Sequence, residues 1–207
     1  MMIERVIEAD KELFFTLNAL HTPFLDKVMV TLSAAMPWIP LYTGIIFFLF
    51  FSLSQGDRNG SELKKLILKR KDIKYAVCTL LAVLITFALT DSLSSLIKDS
   101  VERFRPAYDP ATGGMVRLLE YKGSLYGFPS SHATNTFGLA MITSLIFRNR
   151  YYTLPLFTWA ALVSYSRIYV GKHYPLDVVC GALLGIMIAL LIHYFLSLIL
   201  RKYKPDK

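Results

Sequence analysis

LDVVCGALLGIMIALLIHYFLSLIL, residues 176–200, decides the fold. Past Asp177 it contains no Asp, Glu, Lys or Arg. A helix that crosses a bilayer needs about 20 mostly apolar residues, and this run meets that requirement unaided. Further stretches of the same kind lie at residues 38–53 (running back through 28–36), 73–97, 133–147 and 152–170. Without water in the bilayer core, backbone groups must pair within each helix. The period-2 alternation of a membrane barrel is not evident. The expected fold is therefore all-α, a polytopic transmembrane helical bundle of five or six spans. The sixth would be a short or re-entrant segment at residues 25–36, with Pro37 and Pro40 making the start of the next span irregular.

Composition agrees with that pattern. Of 207 residues, 54% are apolar and 18% charged, and the mean hydropathy is +0.45. Soluble domains run at about 45–50% apolar and about 25% charged, so an ordinary soluble domain is excluded. So is a disordered chain, which needs low hydrophobicity. Cys78 and Cys180 sit in apolar runs and form neither a disulfide framework nor a zinc cluster. One domain covering residues 1–207 is expected.

The N-terminal residues 1–23 do not resemble a cleavable signal peptide. Glu4, Glu8, Asp10 and Glu12 interrupt them, and no apolar h-region is present. Ile3, Val6, Ile7, Leu13 and Phe14 recur at helical spacing, which predicts an amphipathic helix along the membrane interface. Net charge is 23 − 15 = +8. The cations concentrate in one set of loops: Arg58, Lys64, Lys65, Lys69, Arg70, Lys71 and Lys74; Arg148 and Arg150; and Arg201, Lys202, Lys204 and Lys207. The positive-inside rule assigns that side to the cytoplasm. The N-terminus, the loop 98–130 and the link 171–175 then lie outside. No basic stripe with interleaved aromatics calls for nucleic acid.

Polar residues of catalytic type collect at the outer helix ends in three clusters: Lys98 to Pro106, Phe128 to Ala133, and Ser166 to Asp177. Arg105 and Arg167 supply forks that match phosphate oxygens, and Lys98 adds a point charge. Ser130 and Ser131 open an apolar helix, whose free N–H groups bind anions. His173 and Asp177 share a helix face at i, i+4, so the carboxylate can orient the imidazole for attack on phosphorus. His132 can protonate the leaving oxygen and then activate water. No metal or other cofactor is expected, because two histidines without a Cys pair or carboxylate cluster make a poor metal site.

These clusters resemble the signature of the type 2 phosphatidic acid phosphatase superfamily, the lipid phosphate phosphatases. Its pattern reads K-x6-R-P, then P-S-G-H, then S-R-x5-H-x3-D. Lys98, Arg105 and Pro106 match the first block; Pro129, Ser130 and His132 the second; Ser166, Arg167, His173 and Asp177 the third. Ser131 stands where the pattern has glycine. The resemblance implies a six-helix bundle or a five-span variant with its site at the outer membrane face. It implies His173 as nucleophile, Asp177 as its orienter and His132 as general acid. Lys98, Arg105, Ser130, His132 and Arg167 would contact phosphate, with Ser131 beside them.

Elsewhere, Arg103, Arg117 and Lys172 read as cations snorkelling to headgroups, and His21 and His193 as interfacial and structural. Asp91, an acid within a span, supports Lys98 or bonds a neighbouring helix. Trp38, Trp159, Tyr151 and Tyr152 read as interface anchors. The predicted activity is removal of phosphate from a lipid or isoprenoid phosphate in a bacterial inner membrane, on the extracytoplasmic side. Family analogy orders the substrates: undecaprenyl pyrophosphate, then phosphatidic acid or phosphatidylglycerol phosphate, then lipid A. The rivals are a vanadate-dependent haloperoxidase, which would be soluble, and an anion-binding transporter, which should show internal repeats.

Overall fold

A computed structural model describes residues 2–55 and 66–202. Helix α1 (Met2–Asn18) precedes α2 (Pro23–Ser33), which starts where the Thr22 hydroxyl accepts from the Leu25 N–H at 3.2 Å. A 3-10 turn, Met36–Trp38, leads into α3 (Ile39–Phe50). Strands β1 (Phe51–Gln55) and β2 (Leu66–Arg70) pair antiparallel, Phe51 opposite Arg70. Then come α4 (Ile73–Val101), α5 (Ser131–Phe147), α6 (Arg150–Tyr169) and α7 (Pro175–Lys202). The hairpin departs from the purely helical expectation. Ser52, Leu53 and Ser54 alternate in period 2, the strand period, so the first apolar helix stops at Phe50 rather than Leu53. Arg58, Lys64, Lys65, Lys204 and Lys207 lie outside the described residues.

Helices α4 and α7 are each long and apolar enough to cross a membrane, and α2 with α3 forms a pair bent by 67° that passes the same test. Outward-facing side chains fit a lipid surround: Leu81, Leu84 and Phe87 on α4 and Leu183, Met187 and Leu191 on α7 are all half-exposed or more. A soluble monomer rarely shows such a continuous apolar surface. The α5 helix, expected as a span, is only 17 residues long. It sits inside the bundle, where Thr134, Thr136, Thr143 and Ser144 are buried.

The α5–α7 contact brings two helix starts together. A Cβ on Gly185 would stand 2.1 Å from the Thr134 carbonyl oxygen, and one on Gly181 would stand 2.6 Å from that of Ser130. The two backbones therefore touch, as small-xxx-small helix pairs do in membranes. The Ser130 N–H donates to the Asp177 carbonyl at 2.9 Å, locking the start of α5 to the start of α7. Since α4 and α6 end where α5 and α7 begin, all three sequence clusters reach one end of the bundle. Trp38 and Trp159, expected as interface anchors, instead pack edge to face at 5.4 Å within an apolar cluster.

Candidate active site

Lys98 stands in the last turn of α4, and Glu102 ends that helix in the left-handed conformation at φ 52°. This sharp stop turns the chain into Arg103 and Arg105. Lys98 Nζ donates to Ser131 Oγ at 2.9 Å, and Ser94 donates to the same oxygen at 2.9 Å. Ser131 thus holds Lys98 in place. Arg105 is nearly buried; its Nε donates to the Tyr126 carbonyl at 3.1 Å and its NH2 to Ser124 Oγ at 3.0 Å. Burial lowers the pKa of the Arg105 guanidinium against the raising effect of Asp177.

Ser130 opens α5 without capping it. Its hydroxyl is wholly buried and has no hydrogen-bond partner among the described residues. Arg167, near the end of α6, donates through NH1 to Ser33 Oγ and to Glu120 Oε2 at 3.4 Å, while its buried Nε has no partner among the described residues. Buried polar atoms are nearly always bonded, so an oxyanion that takes up Ser130 Oγ and Arg167 Nε fits this site. His132 lies within electrostatic reach of Arg167, His173 and Arg105, with its ring at the Ser33 backbone carbonyl.

His173 is 2% exposed and sits in the link between α6 and α7. Its Nδ1 stands 3.5 Å from Asp177 Oδ2 and, among the described residues, forms no hydrogen bond. Burial, then the cations Arg105, Arg167 and Lys98, push its pKa well below the ordinary imidazole value of 6.5. The ring is therefore neutral at physiological pH, with a free lone pair. Gly127 lies against this pair: a Cβ there would meet Arg105 Cγ at 3.0 Å, Asp177 Oδ2 at 3.2 Å and His173 Nδ1 at 3.5 Å.

The cations read as snorkelling do not snorkel. Arg103 donates to Asp177 Oδ1 at 2.7 Å and to Asp10 Oδ2 at 2.6 Å, and lies over the Tyr174 ring. Burial opposes its charge, but Asp177 and Asp10 outweigh burial and raise its pKa. Arg117 pairs with Asp26. Lys172 donates to the Tyr121 carbonyl and stands 3.7 Å from Glu120 Oε2. Asp91 accepts from Asn135 on α5 at 3.3 Å and lies in electrostatic reach of Lys98. Glu120, Ser33 and Asp10 escape a motif-based reading because none falls within a motif block. The only trace of Asp10 is spacing: with Phe14 and Asn18 it makes the buried i, i+4, i+8 face of α1. The apolar residues Ile3, Val6 and Leu13 point outward instead. Among the described residues, no group of three His, Cys, Asp or Glu side chains is arranged to hold a metal.

A family model for the PAP2 superfamily matches residues 75–200, which include every motif position quoted above. The chain belongs to the PAP2 superfamily. A lipid A 4'-phosphatase of Porphyromonas gingivalis is 35% identical to this PAP2 protein over 188 residues, 90% of this chain and 72% of that one. An undecaprenyl-diphosphatase of Bacillus subtilis is 40% identical over only 72 residues, 35% of this chain and 36% of that one. Among solved structures, a transmembrane PAP2-type phosphatidylglycerolphosphate phosphatase from Bacillus subtilis shares the fold. Its TM-score is 0.68 at 23% identity, covering 98% of this chain and 90% of that one. The membrane phosphatase class expected from the sequence is thus also the class of its PAP2 relatives.

Proposed function

We infer that this PAP2 protein hydrolyses a phosphomonoester of a lipid A-type glycolipid, releasing phosphate through a phosphohistidine. The observation that carries the substrate is the length of the match: the lipid A 4'-phosphatase aligns along nearly all of the chain, the undecaprenyl-diphosphatase only along about a third. Undecaprenyl pyrophosphate, first in the sequence-based order, therefore moves to second.

The site supports a two-step reaction. Neutral His173 attacks phosphorus through Nε2, since Nδ1 is the nitrogen turned to Asp177. The bond from phosphorus to the lipid oxygen breaks, and His132 protonates that oxygen. His132 then takes a proton from water, which attacks the phosphohistidine and releases phosphate. Lys98, Arg105, Arg167 and Ser130 stabilise charge on the equatorial oxygens, usually the largest single contribution. Asp177 supports the cationic ring in the phosphorylated state. No step requires a metal. A cleft of 470 Å³ beside Arg103, apolar at Val101, Phe104, Phe128 and Leu176 but also lined by Lys11, Glu102 and Asp109, could take an acyl chain. Lys74, Arg148 and Arg201 lie toward the opposite end of the bundle, which supports an extracytoplasmic site.

The test is phosphate release in detergent, with EDTA, from lipid A, undecaprenyl pyrophosphate, phosphatidylglycerol phosphate and phosphatidic acid. Lipid A should give the highest kcat/KM, with mass spectrometry showing loss of one phosphate. A tenfold preference for undecaprenyl pyrophosphate overturns the substrate. Loss of activity in EDTA that Mg²⁺ restores overturns the metal-free route.

A further inference from the structure

Asp10 is far in sequence from every motif block, yet it is 5% exposed and both its oxygens are engaged at the site. Oδ2 accepts from Arg103 NH2 at 2.6 Å, and Oδ1 accepts from the Leu176 N–H at 2.9 Å. Leu176 lies in the first turn of α7, immediately before Asp177. The other arm of Arg103 donates to Asp177 Oδ1 at 2.7 Å. Asp177 Oδ2 accepts from the Tyr174 N–H at 3.0 Å and faces His173 Nδ1 at 3.5 Å. Asp10 therefore grips Asp177 twice: through the backbone at the start of α7 and through the guanidinium.

The geometry has a chemical consequence. An arginine facing a single carboxylate prefers to bind both oxygens with its fork. Here Asp10 occupies one arm of Arg103, so Asp177 receives only the other. The second carboxylate oxygen is thereby kept out of the fork, facing the imidazole while it accepts from the Tyr174 N–H. We propose that Asp10 is a positioning residue of phosphoryl transfer: it splits the Arg103 fork so that Asp177 keeps Oδ2 turned to His173. This rests on the assignment of His173 as nucleophile and Asp177 as its orienter. Without the Asp10 charge, Arg103 turns onto both oxygens of Asp177, and the imidazole loses its counter-charge as it becomes a phosphohistidine.

The experiment compares wild type, Asp10→Asn, Asp10→Ala and His173→Ala as full chains in detergent, on a short-chain lipid phosphate. Asparagine keeps the shape of Asp10 and an oxygen for the Leu176 N–H, but sets an NH2 donor where Oδ2 accepted from Arg103, so that arm of the guanidinium is released. Asp10→Asn should lower kcat by up to roughly 100-fold, the scale of a small misplacement at a reacting centre. KM should stay within about twofold, and the melting temperature should match wild type. Asp10→Ala should lose little further kcat but melt earlier. A purely structural role predicts the reverse: Asp10→Asn with wild-type kcat and only Asp10→Ala impaired. That result overturns the proposal, as does an Asp10→Asn loss that appears only in KM. A His173→Ala variant that keeps its turnover removes the nucleophile assignment instead, whereas a dead His173→Ala beside a fully active Asp10→Asn removes this inference alone.

Discussion

Helices α4 to α7 carry the residues proposed to meet a phosphate; α1 and α2 carry side chains that hold Arg167 and the neighbours of those residues. Lys98, Ser130, His132, Arg167 and Asp177 lie at the ends of the four core helices, with His173 just before α7. From the N-terminal pair come single short polar side chains: Asp10 to Arg103, Asn18 to the carbonyls of Arg117 and Tyr169, Asp26 to Arg117 and Tyr169, and Ser33 to Arg167. The core contributes chemistry in compact sequence blocks. The N-terminal pair contributes geometry at intervals of seven or eight residues, one from every second helical turn. A buried cation loses freedom only when something fixes each of its arms, and a short acid or serine on a rigid helix does this at little entropic cost.

If that division is right, substitutions should rank by which group they strike. His173→Ala removes the proposed attacking atom, and turnover should fall by at least about 10,000-fold, as for other nucleophile deletions. Rapid-quench trapping should recover no phosphoenzyme. A variant retaining a tenth of wild-type kcat would place the chemistry elsewhere. The next effect should come from packing within the core. Gly185→Ala puts a methyl group 2.1 Å from the Thr134 carbonyl, so α5 and α7 must part. Overpacking typically costs about 1–3 kcal/mol, and a backbone clash belongs at the upper end. The melting temperature in detergent should drop, and kcat with it, because the Ser130–Asp177 backbone bond ties the two helix starts. An unchanged melting temperature would mean that the helices already stand further apart.

The same contrast explains what the sequence could show. Apolar run length marked α4 and α7, because their outer faces meet lipid and must be apolar. It was less decisive for α5, whose enclosed position permits a run of threonines that no hydropathy rule demands. The motif residues were legible because their spacing is local: Lys98 to Arg105, or His173 to Asp177, are one or two helical turns apart. Arg103 stood inside a block and still read as a snorkelling cation, since its partners, Asp10 and Asp177, are 93 and 74 residues away. Asp10 read as one acid among several on α1. Only the docking of that helix separates it from Glu4, Glu8 and Glu12, which stay exposed or half-exposed.

Ser33→Ala should give the smallest effect and the most informative one. The Ser33 hydroxyl accepts from Arg167 NH1, and Glu120 accepts from the same nitrogen at 3.4 Å. Losing the serine therefore leaves the guanidinium charged, buried and still partnered. A hydrogen bond to a charged group contributes about 1.5–3 kcal/mol net, and Glu120 should recover part of that. The expected result is a fall in kcat/KM of about three- to tenfold, shared between KM and kcat, because Arg167 meets the phosphate oxygens in the ground state and stabilises their charge in the transition state. Steady-state kinetics against Arg167→Lys, which loses the fork itself, provide the scale. A Ser33→Ala loss equal to that of Arg167→Lys would show that α2 belongs to the catalytic unit as fully as α6 does. A change confined to kcat would show that Ser33 acts on the moving phosphoryl group rather than on its resting place.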